Sequence, residues 1–163
     1  MPITPEALQT WLAAVEEGYA APLAWRPWAE RALQAASDAR PWLVEMIEAE
    51  TEEAATRAIH RGLAEVTSGR WPLDHGSLRL GFLWLCHERE DLDATDLLDR
   101  AGVIADRSGG AGVPDGSAFH GLLDEVSGDG PALPSALSLN RRIAALFAPH
   151  AALARACLPH LAR

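Results

Sequence analysis

No lysine occurs anywhere in the 163 residues, so all 14 basic side chains are arginines. With alanine abundant throughout, this is the usage expected of a GC-rich bacterial genome and bears on source rather than on chemistry. Cysteine is scarce: Cys86 and Cys157 are the two thiols, both on expected apolar helix faces, where a thiol behaves as a small inert hydrophobe. A disulfide framework is not indicated. Long hydrophobic runs are missing as well. The most apolar stretch, Leu78 to Cys86, is far below the roughly 20 residues of a membrane span, and the start, MPITPEALQTW, has neither the basic opening nor the apolar region of a signal peptide. The expectation is a cytoplasmic protein without membrane contact.

Catalytic signatures are equally thin. The glycine-rich segment Ser108 to Ser117, SGGAGVPDGS, lacks the Gly-Lys-Ser/Thr ending of a phosphate-binding loop, has no expected strand before it and is not set among basic residues, so it reads as a connector. Ser77, Ser117 and Ser138 lack the G-x-S-x-G context of an activated nucleophile. Paired carboxylates for acid and base work cannot be picked from 23 acids without geometry. Nothing marks an enzyme, and no cofactor is expected from a motif.

Acid, by contrast, is plentiful. Residues 1–134 carry all 23 acids against ten arginines, a balance of −13, whereas 135–163 carry Arg141, Arg142, Arg155 and Arg163 without an acid, a balance of +4. A field of this sign repels nucleic acid and favours basic partners, although acidity also serves solubility alone. The acids concentrate in two passages, Glu45 to Glu53 and Glu88 to Asp99.

Hydrophobic spacing predicts an all-α fold: one compact, irregular bundle of seven to nine helices, a single domain over residues 1–163, built around a buried central helix at about 75–90. Leu73, Asp74 and Leu78 form a hydrophobic staple that starts this helix. Alternation of Leu78, Leu80 and Phe82 with Arg79 and Gly81 also fits a strand, but the unbroken run Phe82 to Cys86 and the staple favour a helix apolar on most sides, as core helices are. The device recurs at Leu92, Asp93 and Leu97, placing a further helix from about 94, and at Ile3, Thr4 and Leu8, where Pro5 suits the first helical position.

Between these, a short helix is expected from Pro27 to Ala36 with Trp28, Ala32 and Ala35 inward. Asp38 is the expected cap of the next, whose apolar side is Trp42, Leu43, Met46 and Ile47. The polar passage Glu48 to Glu53 contains no Gly, Pro or Asn, so residues 41–68 could run on as one helix, yet Thr51 followed by Glu52 and Glu53 suits a fresh helix start. Glu53, Arg57, Arg61 and Glu65 then make an outer ladder of i,i+4 neighbours. A brief helix follows at Ala118 to Val126, then the loop SGDGPALPS, then helices at Ser138 to Phe147 and Pro149 to Leu161.

The leading functional expectation is an acidic protein-binding module, most concretely an immunity- or antitoxin-type inhibitor of a basic partner. Its contact residues would be Glu45, Glu48, Glu52, Glu88, Glu90, Asp91, Asp96 and Asp99, with Trp25 and Trp28 as aromatic anchors in the Pro-containing segment AWRPW; packing into the core is the plainer reading of those two indoles. An alternative is a metal-binding protein or metal-dependent enzyme. His87 with Asp91 and His120 with Asp124, each four apart, can offer two ligands from one helix face to a transition metal such as zinc or iron, although such pairs also arise by chance as surface residues. Cys157 and His160 are a weaker pair. A third reading is a homo-oligomer in which the basic C-terminal helices of one chain meet the acidic body of another.

Overall fold

The computed structural model describes residues 3–38, 40–68, 70–108, 112–128 and 136–162. The centre of the glycine-rich connector, most of the loop SGDGPALPS and Arg163 lie outside the described residues. The protein is an all-α helical bundle with nine helical elements and no strand among the described residues. None of these helices is long and apolar enough to cross a membrane. The chain divides into two compact units, Met1–His75 with Arg155–Arg163 and Gly76–Ala154.

In the first unit, α1 (Pro5–Glu16) starts as its sequence dictates: the Thr4 hydroxyl accepts from the Ala7 amide at 3.2 Å, and Pro5 occupies a position whose amide has no helical partner. Helix α2 (Trp25–Ala35) begins two residues before the expected point. Pro27 falls in its first turn, where a missing N–H breaks nothing. Ala35 is exposed, so the inward face is Trp25, Trp28, Ala29 and Ala32. The Arg26 guanidinium crosses to the Ala49 carbonyl at 2.9 and 3.3 Å, meeting an acceptor left open where α3 ends.

Helix α3 (Pro41–Glu48) is capped by no side chain, and Asp38 is not its cap. Arg40 stands at that position, and Pro41 at the first turn presets the helical φ instead. The break expected at Thr51 is present. Its hydroxyl accepts from the Ala54 amide at 3.2 Å and opens α4 (Glu52–Thr67). Of the expected charge ladder only Glu53 to Arg57 forms along the helix. Arg61 turns to Glu45 and Glu65 to Arg40, because α3 packs beside α4 and offers opposite charge at closer reach. Exposed pairs of this kind contribute about 0–1 kcal/mol each.

Helix α1 packs against α4, α2 and α4 against α3, and the closing turn α9 (Pro159–Ala162) against α1. Their shared core contains Leu8, Leu12, Leu43, Met46, Ile59 and Leu63 together with four tryptophans, Trp11, Trp25, Trp28 and Trp42. All four indole N–H groups are buried without an acceptor among the described residues.

The second unit contains α5 from Gly76 (His75–Glu88 in all), α6 (Ala94–Ser108), α7 (Gly116–Ser127) and α8 (Ala136–Cys157) as far as Ala154. Helix α5 is buried on nearly all sides: from Leu78 to Cys86 only Arg79 and Trp84 retain partial exposure. Leu80 and Leu83 join Leu97, Leu98, Phe119 and Phe147 in this unit's core, with the Trp84 ring stacked 5.2 Å from Phe147. Two expected closing helices prove to be one, with Pro149 inside α8. Pro149 removes a hydrogen bond to the Ala145 carbonyl, but both residues face solvent, where water meets the freed acceptor.

In this unit Arg142 of α8 forms a bidentate ion pair with both carboxylate oxygens of Glu125 on α7. That hydrogen bonding holds the Glu125 carboxyl below the usual range. A depressed carboxyl contributes stability above its unfolded value, about 4.3 for glutamate, and loses it as pH falls through the folded value. Asp115, whose carboxylate caps α7 by accepting from the Ser117 amide at 2.8 Å, is lowered chiefly by its bonds to Ser117 and has the same sign. Thermal melts from pH 7 down to 3 are therefore expected to show acid destabilisation that Glu125→Gln makes shallower; an unchanged profile in that variant would remove Glu125 from the account.

Candidate functional site: an acidic elbow between two helices

Between α5 and α6 the chain must reverse while carrying Glu88, Glu90, Asp91, Asp93, Asp96 and Asp99, all of them exposed. Local bonds hold the turn against the mutual repulsion of these groups. The Asp91 amide reaches back to the Cys86 carbonyl at 3.1 Å, and Glu90 takes a left-handed conformation, φ 63°, to allow it. For a residue with a Cβ that conformation costs about 1–2 kcal/mol. The His87 ring meets the cost from the side: its Nδ1 donates to the Leu92 carbonyl at 2.7 Å, a bond that fixes the proton on that nitrogen. Asp93 then caps α6 by accepting from the Asp96 amide at 2.9 Å.

Three of the acids have a task inside the elbow. Glu88 accepts from the Trp84 indole at 2.8 Å, Asp91 from Arg89 at 2.8 Å, and Asp93 serves the cap. Glu90, Asp96 and Asp99 make no ion pair with the described residues. They are fixed in place by the backbone and offered to solvent.

A smaller acidic patch lies in the first unit at the junction of α3 and α4. Glu48, Glu50 and Glu52 are exposed there without an ion pair among the described residues, whereas Glu45 is engaged by Arg61.

The aromatic anchors are corrected. Trp25 and Trp28 are each 1% exposed and belong to the core of the first unit. The segment AWRPW is the opening of α2, and helical geometry one turn apart turns both indoles inward.

The His and Asp pairs are also rearranged. Asp91 does not share a helix with His87, because α5 ends at Glu88. His120 and Asp124 do share α7, but the His120 ring turns to Asp106 of α6, Nε2 to Oδ2 3.1 Å, and lies over Gly102, where a Cβ would overlap it. Cys157 closes α8 while His160 belongs to α9, and burial pushes the Cys157 thiol up. No group of three or more His, Cys, Asp or Glu placed to hold a metal ion occurs among the described residues.

Two polar pairs escape sequence reasoning altogether. In the first unit the His75 ring bonds Glu16 at 2.9 Å and meets Trp71 edge-on at 4.9 Å. In the second, Ser77 Oγ lies 2.6 Å from His150 Nδ1 where α5 crosses α8, both groups buried. A serine beside an imidazole is the start of a nucleophile, and here both groups are buried where the two helices cross. Their separation of 73 residues leaves no trace in local pattern. Compared with family models, with curated proteins and with solved structures, the chain finds no match.

Proposed function

We propose that this protein is an acidic binding module that covers a basic partner protein, in the manner of an immunity or antitoxin inhibitor, through the α5–α6 elbow. The observation that carries the reading is that Glu90, Asp96 and Asp99 stand exposed and without ion pairs among the described residues on a turn whose backbone is already fixed by His87 and Asp93. Preorganised charge of one sign raises encounter rates with an oppositely charged surface and selects against acidic partners and nucleic acid. The patch at Glu48, Glu50 and Glu52 has the same character.

The test is a comparison of the wild type with the triple variant Glu90→Lys, Asp96→Lys, Asp99→Lys as baits in a lysate of the source organism, followed by binding kinetics on the captured protein. A basic partner is expected whose association rate falls at least about tenfold in the variant and declines with added salt. All three positions are exposed, and because Asp96 lies in the first turn of α6, where a negative charge is favoured, the variant should stay folded with a melting temperature lower by about 2–6 °C. A partner of neutral or acidic character, or one bound equally by the variant, would overturn the proposal.

A further inference from the structure

The connection from α1 to α2 in the first unit ends in a strained turn. The Ala21 carbonyl accepts from the Ala24 amide at 3.0 Å, so Pro22 and Leu23 fill the two central positions. Proline sets φ at the first of these, and Leu23 has φ 64° at the second, the pattern of a type II turn. That second position calls for glycine or asparagine, because a Cβ crowds its own backbone in the left-handed region. Leucine occupies it at a cost. Burial does not take up the whole side chain either: Leu23 is 37% exposed, and Ala21 and Pro22 beside it are exposed as well. The surroundings of this apolar tip are acidic. The Leu23 carbonyl accepts from the Arg26 amide at 3.0 Å, and the Arg26 guanidinium reaches the carbonyl of Ala49, the residue between Glu48 and Glu50. One arginine side chain therefore separates the turn from the patch at Glu48, Glu50 and Glu52, where three exposed carboxylates outweigh that single positive charge.

We infer that Leu23 is the apolar anchor of a contact in which a basic protein offers the first unit an apolar pocket rimmed by arginine or lysine. The inference rests on the reading above that the partner is basic, and it adds where on the first unit such a protein docks and what it presents there. Strain held in a surface residue points to a task outside the fold. Pro22 and the turn's hydrogen bond fix Leu23 before any encounter, so little ordering is left for binding to impose. An apolar centre excludes water while a charged rim selects the partner, the division of labour found in protein interfaces. Charge decides the occupant: an acidic protein or a nucleic acid would be repelled by Glu48, Glu50 and Glu52, and a basic rim is drawn to them.

Two full-length probes carry the photo-crosslinker p-benzoylphenylalanine, one in place of Leu23 and the other in place of Gln34, which is exposed near the far end of α2 and serves as the control. Irradiated in a lysate of the source organism, the position-23 probe is expected to crosslink to a basic protein, within a peptide that places apolar side chains next to arginine or lysine. The crosslink should fade with added salt and be missing from position 34. In binding kinetics on that protein, Leu23→Asn, which suits the left-handed backbone but removes the apolar group, should weaken binding at least about tenfold, mainly through faster dissociation. Equal crosslinking from positions 23 and 34, a crosslinked peptide of acidic character, or a smaller loss in Leu23→Asn overturns the inference while leaving a captured basic partner in place. If the wild type captures no basic protein, the reading beneath it has failed and this inference falls with it.

Discussion

Trp28→Ala is expected to destabilise the protein by about 3–5 kcal/mol, the range for truncating a large aromatic in a core. The side chain is almost fully buried in the core of the first unit, its ring tilted against that of Trp11, and removing it leaves a large cavity there. Urea denaturation measures the loss. Were Trp28 a surface anchor in a Pro-containing connector, the same substitution would change stability by no more than about 0.5 kcal/mol and act on partner binding alone. The two outcomes are far apart.

A pair of glycines supplies the second large effect, because one substitution should have opposite signs at two positions. Gly81 lies in α5, where a Cβ would overlap the His150 backbone carbonyl and meet the Ala154 methyl at 2.7 Å. A backbone group cannot swing aside as a side chain can, so the helices must part. Overpacking of this kind costs about 1–3 kcal/mol, which exceeds the roughly 1 kcal/mol that alanine gains over glycine within a helix. Gly81→Ala should therefore be a net loss of about 1–2 kcal/mol and Gly81→Val a loss of about 3 kcal/mol or more. Gly121 lies in α7 with nothing within 4 Å of a new Cβ. There the helix preference acts alone, and Gly121→Ala should gain about 0.5–1 kcal/mol. If Gly81→Ala proves as stable as Gly121→Ala, α5 and α8 do not approach as described.

The approach at Gly81 also explains the Ser77 and His150 pair. Small residues at 77 and 81, one turn apart, let the two helices close, and the polar contact forms because a buried hydroxyl and a buried ring nitrogen each need a partner. Nothing near residue 77 announces that its partner is residue 150.

What could be read in the chain is what is decided within four residues. Thr4, Thr51 and Asp93 begin helices because a short side-chain oxygen can reach an amide three positions ahead, a geometry independent of the rest of the molecule. The elbow's acids face water because nothing less polar can solvate so many like charges, and that too is a property of the stretch itself. Tertiary structure decided whatever depends on which surface lies opposite. It turned Trp25 and Trp28 inward despite the flanking prolines, drew Arg61 and Glu65 off their own helix, and aimed His120 at Asp106 instead of along α7. It also kept Pro149 within a continuous helix, since the carbonyl that lost its donor happens to face solvent. Caps are settled by bond lengths along one segment; burial and pairing are settled by competition among segments that meet only once the chain has folded.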